Sequence, residues 1–130
     1  MSYDDLKVED IRMTEISGSV DCGNSPKNKL VQDVAIFLET GEGTSDGLHE
    51  DVVWSDRGQE PIKGRTAVQR EVDSAAKPTS LRVDHAISHG RVGAVNGDAT
   101  LANGHTRRFC HVIEFTSAAA KAVASIHSYE

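Results

Sequence analysis

Two hydrophobic periods divide the chain. Leu30, Val31, Val34, Ala35, Phe37 and Leu38 recur at helical spacing and predict one apolar stripe. Ser25-Pro26 opens that helix, with Ser25 as N-cap and Pro26 at the first helical position, and Gly41 stops it. A second helical pattern covers residues 65–76, with Ala67, Val68, Val72, Ala75 and Ala76 on its inner side and Lys77-Pro78 at its end. From residue 80 onward the period becomes two. Residues 81–88, 91–101, 105–115 and 121–129 read as four long strands in an antiparallel meander. His89-Gly90, Asn103-Gly104 and residues 116–120 connect them, Asn103-Gly104 being the strongest hairpin signal. Asn96-Gly97 falls inside its strand and reads as a bulge.

Between the helices, residues 51–65 read as a strand, a turn at Gly58 to Pro61, a short return strand and a helix start at Gly64-Arg65. Val52 and Trp54 alternate with polar neighbours, and on a period of two Trp54 and Asp56 share a face. Residues 44–49 are expected to form one short helical turn, residues 18–24 a loop, and residues 11–16 an added edge strand. Helices set against an antiparallel sheet make an α+β domain. A long curved sheet closed by helices on one side leaves a cone-shaped, enclosed pocket between the layers, which is a natural ligand site.

Composition narrows the partners. A chain of 130 residues with 38% hydrophobic and 26% charged residues is expected to be one soluble domain with its own core. The net charge of −6 argues against nucleic acid and anionic membrane, which need a basic face. No apolar run is long enough to span a bilayer, and the acidic residues 1–10 do not resemble a signal peptide. A cytoplasmic location is the expectation, with Cys22 and Cys110 fitting reduced thiols as well as one disulfide. His85 and His89, spaced i, i+4, lie roughly 13 Å apart in a strand, so no metal site is assigned. Gly41, Gly43 and Gly47 lack the strand before and the Lys-Ser/Thr after that a phosphate loop needs. Cys110 and His111 are strand neighbours and point to opposite faces, which speaks against a Cys–His nucleophile.

The element order, with Asp51-Val52-Val53-Trp54, Pro61-Ile62-Lys63-Gly64-Arg65-Thr66-Ala67-Val68 and Phe109-Cys110-His111-Val112-Ile113-Glu114-Phe115, resembles the NTF2-like superfamily. Within it the chain is similar to the bacterial SnoaL-like and ketosteroid-isomerase-like branch. The resemblance implies a cone-shaped curved sheet packed on helices over residues 25–130, preceded by an N-terminal extension, residues 1–24, as edge strand or lid. In the isomerases an Asp at the end of the strand before the hairpin is the general base. Counting back from Glu60-Pro61 places Ser55 there without a gap and Asp56 with one residue missing from the turn; the gapped match keeps Trp54 on the pocket face and is preferred. His111 falls at the place of the isomerases' oxyanion donor. Their Tyr donor falls at Val34, which speaks against steroid isomerisation. The related cyclases also place acid and base groups in this cavity.

The candidate catalytic residues are therefore Asp56 as general base and His111 as polarising donor, without a cofactor. Trp54 is the candidate wall beside them, with Phe37, Val95, Phe109, Ile113 and Ile126, each of which also suits plain core packing. One reading is a cofactor-independent isomerase, cyclase or hydratase acting on a small hydrophobic molecule; others are a non-catalytic binding domain and a protein-interaction dimer. Val83, Ala86, Val112 and Ala122 are expected on the outer face of the sheet, where pairing with a second copy would cover them. The resemblance too implies a homodimer through the sheet.

Overall fold

The computed structural model describes residues 14–56 and 58–130. Its strands are β1 (Glu15–Ser17), β2 (Leu48–Asp56), β3 (Ile62–Lys63), β4 (Ser80–His89), β5 (Val92–Thr100), β6 (Thr106–Phe115) and β7 (Val123–Tyr129). They form one open, curved sheet in the order β1-β4-β5-β6-β7-β2-β3. Helices α1 (Pro26–Thr40) and α2 (Arg65–Ser74) pack against it, and a 3₁₀ turn (Val20–Cys22) sits within the expected loop. The architecture is α+β, as the two hydrophobic periods predict. Residues 11–13 of the expected edge strand lie outside the described residues.

Helix α1 begins and ends where its local chemistry dictates. The Asn28 amide donates to Ser25 Oγ at 3.2 Å, and Pro26 holds the first turn. Gly41 takes φ 79° and returns its N–H to the Phe37 carbonyl at 2.8 Å, a left-handed stop that costs glycine nothing sterically. The buried stripe of α1 lies over β4 and β5. Helix α2 ends earlier than its pattern suggests. Ala75 is already extended, and Ala75 and Ala76 are exposed, not inward. The chain must straighten before Pro78, which disfavours a helical conformation at Lys77.

Two further expectations fail. Residues 44–49 contain no helix: a single turn closed by Leu48 N to Ser45 O at 3.0 Å leads straight into β2, which already includes Leu48 and His49. Gly43 and Gly47 within six residues make a helical turn there costly. The sheet is also mixed rather than purely antiparallel. β2 runs parallel to β7, and β1 parallel to β4, while β4 to β7 form the expected meander.

The bulge lies where Asn96-Gly97 marks it, but the extra residue is on the partner strand. Val83 pairs with Gly97 and His85 with Asn96, leaving Asp84 unpaired in β4. A Cβ on Gly97 would stand 1.9 Å from the Arg82 carbonyl oxygen, so only glycine permits this approach. The inserted residue flips the facing of β4 midway. Val83 and Ala86, expected outside, are therefore both buried in the core, and Ile87 is the residue turned outward. Val112 does face outward, half-buried, and Ala122 falls just before β7. The core includes Phe115, Leu81, Val52 and Val123, and no helix among the described residues is long and apolar enough to cross a membrane.

Candidate functional site

Strand register builds the site. β2 pairs with β7 so that Asp56 lies opposite Ser128, and β7 pairs with β6 so that Ser128 lies opposite His111. Asp56, Ser128 and His111 thus form one row across three strands, with the outer two backbones roughly 10 Å apart. The neighbouring row is Trp54, Ile126 and Ile113. Trp54 leans across to donate its Nε1–H to Ser128 Oγ at 2.8 Å. From above, the last turn of α1 lowers Glu39 onto β6, where it meets His111 and Arg107.

The result is a continuous polar chain in an apolar setting. Arg107 Nη2 donates to Glu39 Oε1 at 2.8 Å, Glu39 Oε2 lies 2.7 Å from His111 Nε2, and His111 Nδ1 lies 2.6 Å from Ser128 Oγ. His111 is 2% exposed and stacks on Phe109 with ring centroids 5.4 Å apart. Burial pushes the Glu39 carboxyl up. The hydrogen bond and charge of His111, together with the Arg107 guanidinium, outweigh burial and hold it below its ordinary value. An ionised carboxylate only accepts, so Nε2 of His111 carries a proton. With neutral imidazole, Nδ1 accepts the Ser128 hydroxyl, which itself accepts from Trp54. With imidazolium, Nδ1–H donates to Ser128, and the hydroxyl proton must point elsewhere.

A half-open cleft of about 160 Å³ lies over this chain, lined by Trp54, Asp56, Arg107, Phe109, His111 and Ser128 among others. The cavity is not enclosed as a cone pocket would be, and it is small. A cavity of ~150 Å³ holds a molecule the size of benzene, so a polycyclic ligand would project from the mouth. Asp56 stands exposed at that mouth, and His111 lies at the floor with both ring nitrogens already engaged.

Of the expected wall residues, Trp54 and Phe109 line this cleft. Val95, Ile113 and Ile126 lie in the core beneath it, and Phe37 lines a different hollow on the far side of α1. Glu39, Arg107 and Ser128 are site residues that the sequence reading missed. Each carried a signal. Glu39 continues the i, i+4 series of Val31 and Ala35, Arg107 alternates with Phe109 and His111, and Ser128 follows Ile126 on the same strand face. Among the described residues no group of three or more His, Cys, Asp or Glu is arranged to hold a metal ion; His85 instead pairs with Asp21 at 3.0 Å.

No family model matches the chain, and no curated protein does. Solved structures match its fold well. An NTF-2 like protein of unknown function from Burkholderia xenovorans LB400 superposes with a TM-score of 0.66 at 17% identity, over 79% of this chain and 81% of that one. A SnoaL-like family protein from Agrobacterium tumefaciens C58 gives 0.62 at 7% identity, over 78% and 95% of the two chains. An LEH-like epoxide hydrolase from M. tuberculosis gives 0.58 at 16% identity, over 79% and 83%. At these identities the likeness is one of fold, and the fold of this chain is that of the NTF2-like superfamily.

Proposed function

We propose that the cleft binds a small carbonyl-type molecule and moves a proton on it without a cofactor. The observation that carries this reading is the row itself: an exposed carboxylate, Asp56, and a hydroxyl, Ser128, flank one cleft beside an indole. Behind Ser128 stands a buried His111–Glu39–Arg107 chain. Asp56 is the base that takes a proton from carbon next to the carbonyl. Negative charge then develops on the carbonyl oxygen. Ser128 presents its O–H to that oxygen when His111 carries both ring protons, and Glu39 balances the imidazolium. His111 therefore acts through Ser128 and is a positioning residue, while Asp56 and Ser128 are the catalytic pair. Trp54 supplies the apolar wall and fixes the serine oxygen. Returning the proton to a neighbouring atom completes an isomerisation.

The test is exchange of the α-protons of cyclohexanone, a ring that suits the cleft, followed by proton NMR in D₂O. The expected result is exchange above the buffer rate, slowed about 100-fold in Asp56→Asn and by a smaller factor in Ser128→Ala. A second reading is binding without conversion, favoured by the fact that Ser128, His111 and Glu39 all have hydrogen-bond partners at rest. Quenching of Trp54, the only tryptophan, by the ketone with no exchange in any variant would select it. We also infer that two copies pair through the outer sheet face around Ile87 and Val112; sedimentation showing a monomer at micromolar concentration would refute that.

A further inference from the structure

The arginine at the end of the buried polar chain has donor capacity that the fold does not use. A guanidinium is a planar fork of N–H donors, more than a single acceptor can take up. Arg107 donates from Nη2 to Glu39 Oε1 at 2.8 Å, and that is its only side-chain hydrogen bond among the described residues. Its side chain is 34% exposed where that of Glu39 is 6%, so it reaches from the buried carboxylate out to the cleft that it lines with Ser128 and Asp56. No other Arg or Lys among the described residues lines that cleft.

Charge counting says what the open side of the fork is suited to hold. The proposed proton transfer needs His111 with both ring protons, so that Ser128 can offer its hydroxyl to a carbonyl oxygen. In that state the polar chain holds two cations, Arg107 and His111, against one carboxylate, Glu39. Positive charge in excess at a half-buried site calls for an anion. Asp56 and Glu130 also line the cleft, but both are exposed and screened by water. A ligand carboxylate on the open side of Arg107 accepts charge-assisted bonds from the fork and supplies the missing charge. Arg107 and His111 share one face of β6 four positions apart, roughly 13 Å of strand. The arginine side chain covers part of that distance to meet Glu39. The anionic group and the carbonyl of the ligand therefore stand at opposite ends of a ring or short chain, not on neighbouring carbons.

We propose that Arg107 is a specificity-determining residue, which selects a ketone bearing a remote carboxylate by binding that carboxylate at the mouth of the cleft. The carbonyl end of this proposal rests on the proton-transfer reading above; recognition of the carboxylate needs only the cleft and the arginine.

Two measurements keep those claims apart. The first needs no turnover: the change in fluorescence of Trp54, the only tryptophan, is followed on adding cyclohexanecarboxylate or cyclohexanecarboxamide. The anion is expected to bind about tenfold more tightly than the amide, and Arg107→Gln should bring that ratio close to one. The second is α-proton exchange of 4-oxocyclohexanecarboxylate and its carboxamide in D₂O. The anion should show a KM about tenfold lower at similar kcat, an advantage lost in Arg107→Gln. A ratio taken within one variant cancels any general loss of stability or of Ser128 positioning. Should Arg107→Gln not fold, the binding ratio in Arg107→Lys, which keeps the charge but loses the fork, is expected to fall severalfold, and an unchanged ratio overturns the proposal. Equal binding of anion and amide to the wild type overturns it, as does a preference undiminished in Arg107→Gln. Selective binding of the anion with no exchange of either ketone upholds the carboxylate site and refutes the proton-transfer reading; exchange of both ketones at equal KM does the reverse.

Discussion

The exchange Glu39→Gln tests the buried chain behind the cleft directly. Glu39 accepts from two donors, Arg107 on one oxygen and His111 on the other, and its side chain is 6% exposed. An amide of the same shape has one acceptor and one donor end. With its oxygen turned to the guanidinium, its NH₂ meets Nε2 of His111, which can accept only by moving the ring proton to Nδ1, so the exchange removes the charge that pairs with Arg107 and forces the other tautomer on the histidine. Removing one partner of a buried ion pair costs about 3–5 kcal/mol. The amide can keep both contacts once the histidine changes tautomer, so the loss comes from the missing charge and should sit near the lower end, about 3 kcal/mol. For a domain of this size that is a fall in Tm of roughly 12 °C. Urea unfolding followed by far-ultraviolet circular dichroism should show a lower midpoint with an unchanged slope. A loss below about 1 kcal/mol would mean that the pair is nearly neutral against its desolvation and that the reasoning is wrong.

The pH dependence gives a second check on the same residue. Burial opposes ionisation of Glu39, yet His111 and Arg107 hold its pKa below the ordinary 4.5. A carboxylate with a lowered folded pKa binds fewer protons folded than unfolded, so its stabilisation is present above the unfolded value. It is lost as pH falls through the folded value. The stability gap between wild type and Glu39→Gln should therefore close as pH falls below the ordinary carboxylate range. A gap still undiminished at pH 3 would refute the assignment of that charge to Glu39.

Three further outcomes follow from the geometry. Gly97→Ala should destabilise by about 3 kcal/mol or prevent folding, because the new methyl meets the Arg82 backbone, which has little freedom to yield; thermal unfolding measures it. Trp54→Phe should cost about 1 kcal/mol in urea unfolding by removing the hydrogen bond to Ser128, and it should slow cyclohexanone exchange, because the serine oxygen loses the donor that fixes it. Asp56→Asn should slow cyclohexanone exchange while the variant still folds; exchange at the wild-type rate in a folded variant would remove Asp56 as the base.

Much of this fold is written in short-range signals. The Ser25-Pro26 start, the Gly41 stop and the alternation after residue 80 each follow from neighbours a few positions away, and the structure places α1 and the meander accordingly. Expectations failed where a distant contact decided the local state. Residues 48 and 49, read with the turn before them, are drawn into β2 by pairing with β7, some seventy positions along, as Leu48 opposite Val123 shows. The outer face of the sheet was misread because one inserted residue, Asp84, reverses the facing of β4 after Val83, and its cause is a glycine on the other strand.

The site divides along the same line. Trp54, Asp56 and His111 were legible because alternation along a single strand gives each a face. Ser128 was not, because its importance rests on being registered between Asp56 and His111, which only the parallel β2–β7 pairing supplies. Glu39 and Arg107 stand furthest from sequence reasoning. Each reads as an ordinary surface charge in isolation, yet each lies on the inward stripe of its element, two positions or one turn from residues assigned to the core. A charge on an apolar stripe has either to pair or to be expelled. Here the two charges pair with each other, and the free side of the carboxylate reaches the histidine. The alignment-based role for His111 as a donor facing the cavity therefore changes once its partners are known. With Glu39 on one nitrogen and Ser128 on the other, both ring nitrogens are engaged, and in the proposed function the imidazole acts through the serine hydroxyl and does not face a ligand itself.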